Sequence, residues 1–370
     1  MTNNPLNLPE IDQEQALNLS KFFIRSGQNI FLFGRRGVGK THIAIQAAQE
    51  CKMKVNYINL SVIERPDLAG YPDMNMPGDV INFKSPYFLP PLTEGQKTDS
   101  VILFDEVDKA PAEVTAPLLE ILLFKKINGR PINAASCILT GNLINEGAYS
   151  NQISTALMDR GAKYILSFSF EKWLEWAKIH GVHDLILGFL SSDPSFACGK
   201  IEESVYASPS PRSWTLASEA LVKTKELKMT DIDSVTHIIS GYVGSEAGIR
   251  FKLWYEHYRK FEPFVRALID HNNLSIDFSA LAPTEKIVFV VSACYYAKQK
   301  IIADKSKNRF IYLEHLCDFL VQQNVEHEIQ VIALNNSFGG DIITKHKLYS
   351  CQVFFDMFGR LSENVIIKAK

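Results

Sequence analysis

The sequence predicts an α/β fold, a five-stranded parallel sheet between helices, in its first half and helices alone in its second half. Short apolar runs alternate with helix-period segments up to about residue 169, and beyond that point the runs stop. Runs that are apolar on both faces are typical of parallel strands that helices cover on both sides. The predicted strands lie at residues 29–33, 55–60, 101–104, 137–140 and 164–168.

Length and composition indicate a globular protein of more than one domain. The chain has 370 residues, of which 46% are hydrophobic and 22% are charged, so it can bury a sizeable core. Its 41 acidic and 39 basic residues nearly cancel, which leaves no global field to attract nucleic acid or a membrane surface. Six scattered cysteines without a CxxC pair favour a reducing compartment over a disulfide framework or a zinc site. Residues 1–10 hold no apolar signal segment and no apolar stretch reaches about 18 residues, so we expect a cytoplasmic protein that contacts no membrane.

Helix-period patterns and proline positions set the predicted domain boundaries. In the first half we expect helices over residues 12–25, from the glycine-rich segment to residue 51, and from Pro111, because proline suits a first helical turn. Pro117 is then expected to kink the last of these helices. The second half has helical patterns, with a turn signal at residues 335–340. The predicted division is an α/β core at residues 1–169, a helical lid at 170–261 and a helical C-terminal domain at 262–370.

A glycine-rich segment, GRRGVGKT at residues 34–41, follows the first predicted strand and opens a predicted helix. It fits the pattern GxxxxGK[ST], in which glycines let backbone N–H groups curl around a phosphate at the positive end of the helix. In this pattern Lys40 reaches the terminal phosphates and the hydroxyl of Thr41 ligates magnesium, so we expect ATP and Mg²⁺ to bind. The residues expected to contact the nucleotide are Gly34, Arg35, Arg36, Gly37, Val38, Gly39, Lys40, Thr41 and His42.

Two carboxylates follow the apolar run at residues 101–104. A buried strand that ends in Asp105 and Glu106 delivers both side chains to the edge of the sheet beside the glycine-rich segment. Asp105 is expected to hold magnesium together with Thr41, and Glu106 to orient and polarise the attacking water. The ordinary alternative is a strand that runs into an acidic turn.

Three further residues are candidates for contact with the terminal phosphate. Asn142 follows the run at residues 137–140 and could position the hydrolytic water, or could be a turn-forming asparagine. Arg160 precedes the last predicted strand and could reach a neighbouring subunit's phosphate, or could be a surface arginine. Arg212 starts a predicted helix after Pro211 and could touch the phosphate from the lid, or could be solvated there.

The order of these motifs resembles that of MoxR-like AAA+ ATPases, in the group of P-loop NTPases that includes the McrB and midasin type. The resemblance covers about residues 18–258. Residues 67–72 and 86–91 look like the insert in helix two of that family. The other matching segments are 105–111, similar to Walker B, 140–142, similar to sensor 1, 156–160, similar to the helix with the arginine finger, and 210–214, similar to sensor 2.

The resemblance implies an AAA+ P-loop core, with Asn142 as the sensor, Arg160 as a finger that enters from the neighbour, and Arg212 acting from the lid. It also implies a hexameric ring with ATP at the subunit interfaces. Family members remodel protein clients in a chaperone-like manner, often with a partner that bears a von Willebrand factor A domain. Arg35 and Arg36 depart from the small or proline residues usual in the loop, and their ordinary interpretation is solvent exposure.

Two other functions remain open from the sequence. A nucleic-acid-stimulated motor or restriction-type NTPase would show hydrolysis stimulated by DNA or RNA and a salt-sensitive complex. A nucleotide-dependent assembly module would bind ATP with negligible turnover. Glu106, Asn142 and Arg160 argue against the second alternative, because binding alone does not need them.

Overall fold

The computed structural model describes residues 8–75, 81–143, 153–199, 207–306, 308–338 and 341–368. Along these residues the chain divides into two compact units, of which the first ends at Lys172 and the second begins at Trp173. The first unit holds a central sheet with helices, and the second unit is helical.

A six-stranded parallel sheet forms the centre of the first unit, with strand order β1-β10-β2-β9-β6-β3. The α/β class is therefore confirmed, but the predicted number of five strands is wrong by one. The extra strand, β1, has only two residues, Glu10–Ile11, and is too short for any periodicity to reveal it. The strands of the sheet are β1 at Glu10–Ile11, β2 at Ile30–Gly34, β3 at Lys54–Asn59, β6 at Ser100–Asp105, β9 at Ser136–Gly141 and β10 at Ala162–Leu166.

Because the strands run in one direction, their carboxyl ends meet at one edge of the sheet. There β2 ends at Gly34, β3 at Asn59, β6 at Asp105 and β9 at Gly141. Ligands of open parallel sheets bind outside this edge, so the fold directs attention to the residues just beyond these four.

The helices of the first unit include one whose start differs from the prediction. The helix after the acidic pair begins at Thr115 and not near Pro111, because Ala112–Val114 is a 3₁₀ helix. Pro117 therefore lies in the first helical turn, where its lack of an N–H costs no hydrogen bond, and the predicted kink is wrong. The helices are α1 at Gln13–Ser26, α2 at Lys40–Glu50, α3 at Arg65–Ala69, α4 at Thr115–Phe124 and α5 at Thr155–Met158.

Two short antiparallel hairpins extend from the first unit. The first pairs β4, Tyr71–Pro72, with β5, Phe83–Lys84. The second pairs β7, Lys126–Ile127, with β8, Arg130–Pro131.

The core of the first unit is built on the central strands. Phe31, Ile102, Phe104 and Leu139 are fully buried and belong to one hydrophobic cluster. Burial of each such side chain contributes about 1.5–3 kcal/mol. This packing fixes the strands, and with them the polar residues at the carboxyl edge.

The second unit contains the helices from α6 onward. Its longest helix, α10, contains Phe261, so the predicted boundary between lid and C-terminal domain falls inside one helix, and that division stays a prediction. The turn predicted at residues 335–340 falls where α13 ends at Phe338 and α14 begins at Asp341, and its residues 339 and 340 lie outside the described chain. Across the described helices, none combines the length and apolar character needed to span a bilayer. The helices are α6 at Phe170–Ile179, α7 at Asp184–Ser192, α8 at Pro211–Glu226, α9 at Ile232–Val243, α10 at Ser245–His271, α11 at Pro283–Ala303, α12 at Ile311–Gln322, α13 at His327–Phe338, α14 at Asp341–Lys345 and α15 at Gln352–Lys368.

Candidate nucleotide-binding site

The glycine-rich loop leaves the carboxyl end of β2 and enters α2 at Lys40. Gly39 is the N-cap residue of α2 and has φ +101, a backbone conformation that other residues rarely adopt. A side chain at Gly34 would lie 2.7 Å from the carbonyl oxygen of Leu166 on the neighbouring strand. The loop therefore has the backbone shape that a phosphate-binding nest requires, at the positive end of a helix.

Lys40 is buried, with 8% of its surface exposed. Its Nζ donates to the carbonyl oxygens of Gly34 at 2.7 Å and Arg35 at 2.9 Å, and to Oδ1 of Asn142 at 3.1 Å. The structure thus brings together the predicted phosphate-binding lysine and the predicted sensor. The side chain of Arg36 is exposed, as is that of His42, while Arg35 is half-buried.

The carboxylate of Asp105 is held by four donors. Its Oδ2 accepts from Thr41 Oγ1 and from the Tyr57 hydroxyl, both at 3.1 Å. Its Oδ1 accepts from the Thr140 hydroxyl and, at 3.1 Å, from the backbone N–H of Glu106. The two predicted metal ligands, Thr41 and Asp105, therefore lie side by side at the carboxyl edge of the sheet.

This pair of oxygen donors suits magnesium. Mg²⁺ prefers hard oxygen ligands and is usually held by one or two protein groups, with waters and substrate phosphates completing its coordination. The described residues contain no cluster of three or more histidine, cysteine, aspartate or glutamate side chains placed to hold a metal.

Glu106 has an unusual backbone conformation for the end of a strand. Its φ is +57, in the left-handed region, and it directly precedes the 3₁₀ helix Val107–Lys109. Strained backbone of this kind is concentrated at functional sites. The Lys109 Nζ donates to Glu106 Oε1 at 2.8 Å. That hydrogen bond, with smaller effects from Ser61 and Asn59, holds the pKa of Glu106 below its ordinary value, so the carboxylate is ionised at neutral pH.

Asn142 is held from two sides. Its backbone N–H donates to Asp108 Oδ1 at 2.9 Å, and its side-chain Nδ2 donates to Asp108 Oδ2 at 3.3 Å. On the other side its Oδ1 accepts from Lys40. Asn142 therefore lies next to the glycine-rich loop, and its role in catalysis stays a prediction.

Arg160 lies at the opposite edge of the sheet from the glycine-rich loop. It precedes β10, whose first residue, Ala162, pairs with Ile30, the first residue of β2. The loop begins beyond Gly34 at the other end of β2. The length of β2 separates the two edges by about 16 Å at 3.3 Å per residue. Arg160 therefore does not reach the loop of its own subunit. If it contacts a nucleotide phosphate, that nucleotide is bound by a neighbouring subunit.

The position of Arg160 is fixed by two backbone contacts. Its Nη1 donates to the carbonyl oxygen of Ala156, one turn earlier, and its own carbonyl oxygen accepts from Asn29 Nδ2 at 2.8 Å. Arg212 lies in the second unit, in the first turn of α8. Its contact with the nucleotide stays a prediction.

Sequence reasoning missed several residues of this site. Thr140 and Asp108 lie inside segments that the sequence analysis singled out. Their hydrogen bonds with Asp105 and Asn142 become evident only when the fold brings the strand ends together. Tyr57 lies on β3, and only the strand order places β3 next to β6. Lys109 follows Glu106 by one turn of 3₁₀ helix, a spacing that could have indicated the ion pair.

Comparison with known protein families agrees with this geometry. Residues 29–160 match the family model described as AAA domain, dynein-related subfamily. This part of the chain is thus similar to an AAA domain. The fold of the first unit is accordingly the AAA+ P-loop α/β fold, with six strands in its parallel sheet.

Solved structures of low similarity include RuvB of Thermotoga maritima, described as a Holliday junction branch migration motor. It is 15% identical, with a TM-score of 0.38 over 72% of this chain and 78% of that chain. A variant of the same protein is 14% identical, with a TM-score of 0.39 over 72% of this chain and 79% of that chain. TM-scores this low carry no information about activity. No curated protein matches the chain significantly.

Proposed function

We propose that the AAA domain binds ATP with magnesium and hydrolyses it to ADP and phosphate. The observation that supports this most is a set of two hydrogen-bonded pairs at the carboxyl edge of the sheet, Lys40 with Asn142 and Thr41 with Asp105. Glu106 directly follows Asp105, and a domain that only bound a nucleotide would not need this second carboxylate beside the cluster.

Each residue has a distinct part in the proposed reaction. The backbone N–H groups of the glycine-rich loop and the ammonium of Lys40 bind the β- and γ-phosphates. Thr41 and Asp105 would hold the magnesium ion, which would neutralise phosphate charge when bound. Glu106 accepts a hydrogen bond from the attacking water and polarises it. Oδ1 of Asn142 is a second acceptor that can orient the same water.

Arg160 is proposed to act across a subunit interface. Its place at the amino edge of the sheet keeps it away from its own glycine-rich loop, so its proposed target is the ATP of a neighbour. This requires a ring oligomer, and the MoxR-like resemblance makes a hexamer the expected form. Arg212 is proposed to contact the phosphates from the helical lid.

The cellular role is proposed from the resemblance alone. It is chaperone-like remodelling or assembly of a protein client in the cytoplasm, with a possible partner that bears a von Willebrand factor A domain. Stimulation of hydrolysis by DNA or RNA, lost at high salt, would instead favour the motor alternative. Affinity capture with the Glu106→Gln protein in ATP, followed by mass spectrometry, would identify the client.

The nucleotide site is tested with Lys40→Ala. The variant loses the main cation for the β- and γ-phosphates, so calorimetric titration with MgATP should show no detectable binding. Lys97→Ala is the matched control, because Lys97 is an exposed lysine of the same unit. Wild-type affinity in Lys40→Ala would refute the assignment of the loop.

Hydrolysis is tested with Glu106→Gln. Glutamine keeps the shape of the side chain and loses the carboxylate, so the variant should bind ATP and turn it over very slowly. A steady-state rate within about threefold of wild type, roughly 0.6 kcal/mol of barrier, would exclude Glu106 as the catalytic carboxylate.

A further inference from the structure

Asp108 is a buried carboxylate that accepts hydrogen bonds from one residue, Asn142. It lies in the 3₁₀ helix Val107–Lys109 and is 2% exposed. A carboxylate in such a place is costly unless its oxygens are hydrogen-bonded. Within the described chain both of its side-chain hydrogen bonds come from Asn142, one to each oxygen, at 2.9 Å from the backbone N–H and 3.3 Å from Nδ2.

The amide of Asn142 lies between a group that can only accept and a group that can only donate. Both oxygens of Asp108 act as acceptors, and the ammonium of Lys40, 3.1 Å from Oδ1, has only donors. Nδ2 must therefore face Asp108, and Oδ1 must face Lys40. The reversed amide would set oxygen against carboxylate on one side and N–H against ammonium on the other.

The backbone is shaped to allow this contact. Gly141, the residue before Asn142, has no side chain, and a Cβ there would lie 3.1 Å from Asp108 Oδ1 and 3.0 Å from Val107 Cγ1. The end of β9 can therefore pass close to the 3₁₀ helix. Two segments far apart in sequence are fitted together at the point where Asp108 meets Asn142.

We propose that Asp108 is a positioning residue for ATP hydrolysis. It locks the amide of Asn142 in the orientation that presents Oδ1 to Lys40 and to the attacking water, and it contacts neither water nor nucleotide itself. The proposal rests on the proposed ATPase function, and it adds a residue that acts through Asn142.

Asp108→Asn tests the orientation with little change of shape. In this variant the new side chain at position 108 can still accept, through its Oδ1, from the backbone N–H of Asn142. The amide N–H groups of the new side chain then face the side chain of Asn142. Asn142 must then turn its Oδ1 toward residue 108 and its Nδ2 toward the Lys40 ammonium, where donor meets donor. Turnover should fall by about 10- to 100-fold, the range typical of side chains that orient an active-site group. Affinity for ATP should change by less than about threefold, since Lys40 keeps its ammonium and its hydrogen bonds to Gly34 and Arg35.

A double-mutant cycle separates positioning from general support of the fold. It compares the wild type with Asp108→Asn, Asn142→Ala and the double variant, and measures kcat and the Kd for MgATP in each. If Asp108 acts through Asn142, the double variant should have the same kcat as Asn142→Ala within about twofold. Glu113→Gln is the matched control, because it removes an exposed carboxylate from the next 3₁₀ helix, and it should leave kcat unchanged.

The outcomes distinguish the two proposals. Losses that multiply in the double variant, or an Asp108→Asn kcat within twofold of wild type, overturn the role of Asp108 while the ATPase assignment stands. A wild-type protein that does not hydrolyse ATP overturns the proposed function itself. If Asp108→Asn does not fold, Asp108→Ser takes its place in the cycle. Its hydroxyl is too short to fix the side-chain amide of Asn142.

Discussion

The hydroxyl of Tyr57 donates to Asp105 Oδ2 at 3.1 Å, the same oxygen that accepts from Thr41. Tyr57 lies on β3, next to β6, and 48% of its surface is exposed. Thr140, on the other neighbour of β6, donates to the second oxygen. Side chains on both adjacent strands therefore orient the Asp105 carboxylate, the proposed magnesium ligand. Hydrogen-bond partners outside the first coordination shell usually orient metal ligands in this way.

Removal of the Tyr57 hydroxyl is expected to raise the magnesium concentration that hydrolysis requires. In Tyr57→Phe the carboxylate keeps Thr41 and Thr140, so the effect should be at the low end for such partners, about 3- to 10-fold in the magnesium concentration needed for half-maximal rate. The measurement is turnover against free Mg²⁺ at saturating ATP. Tyr87→Phe, an exposed tyrosine of the same unit, should behave as wild type. An unchanged magnesium requirement in Tyr57→Phe would show that the hydroxyl does not orient Asp105.

Asn29 joins four segments at the amino edge of the sheet. It is buried, and its Nδ2 donates to the carbonyl oxygens of Leu122 and Arg160, both at 2.8 Å. Its Oδ1 accepts from the Cys137 N–H at 3.2 Å and from Lys125 Nζ at 2.5 Å. The amide thereby ties the end of α4, the start of β9 and the segment before β10 to β2.

Asn29→Ala should destabilise the first unit by about 2–4 kcal/mol, because several buried polar groups lose their partner at once. Urea unfolding followed by circular dichroism gives the value. Asn29→Asp should also be destabilising, since a carboxylate cannot donate to the carbonyl oxygens of Leu122 and Arg160. Asn75→Ala, at an exposed position, is the control. A loss below about 0.5 kcal/mol in Asn29→Ala would mean that this amide is not a structural junction.

The sequence predicts the strands well where apolar runs report burial on both faces. Each of the five runs corresponds to a strand of the sheet within one or two residues. β1 escapes because two residues cannot show a period, and its partner β10 lies about 150 residues away in the chain. The start of α4 is misplaced because Pro111 is followed by a 3₁₀ turn, which has the same local residue preferences as an α-helical start.

The residues of the candidate site likewise fall into those that local motifs predict and those that only the fold reveals. Lys40, Thr41, Asp105 and Glu106 lie in contiguous motifs whose spacing carries the chemistry, so the sequence predicts them directly. Asp108 is different, because its meaning depends on the approach of β9 to the 3₁₀ helix. Contacts of this kind follow from strand order and register, and local patterns do not encode them.

Lys178 gives the second unit a pH-dependent stability. It lies on α6, and its Nζ donates to the carbonyl oxygen of Asn335 at 2.9 Å. Burial, together with the nearby charge of Lys298, lowers the pKa of Lys178 from 10.5 to about 8. Between these two values the unfolded chain binds more protons than the folded chain, so this residue makes stability rise with pH in that window.

In Lys178→Met this rise should disappear. Urea unfolding at about pH 7.5 and about pH 9.5 should show the variant stabilised relative to wild type at the lower pH, with the difference shrinking at the higher pH. Groups common to both proteins cancel in the comparison. Lys223→Met removes an exposed lysine of the same unit and should keep the wild-type slope. Equal slopes in wild type and Lys178→Met would show that Lys178 keeps its ordinary pKa.

Arg160 provides the test of a shared active site. Five residues of β2 separate it from its own glycine-rich loop, and an arginine that acts on phosphate must therefore enter from a neighbour. Arginine fingers of this kind are worth about 10³–10⁵ in rate. Arg160→Ala and Lys40→Ala should each be inactive alone, the first for lack of the finger and the second for lack of the phosphate-binding lysine.

Mixtures of the two inactive variants should recover part of the activity. In a mixed ring some interfaces pair an intact Lys40 with the intact Arg160 of the next subunit, and those interfaces can hydrolyse ATP. Turnover is measured across mixing ratios, with subunit exchange verified by fluorescence energy transfer between labelled subunits, and with Arg130→Ala as the control for loss of a different arginine of the same unit. Mixed rings that exchange subunits and stay inactive would exclude a finger that acts across the interface. Full activity of Arg160→Ala alone would remove the residue from the site, and the proposed ring would then need another source of positive charge at the γ-phosphate.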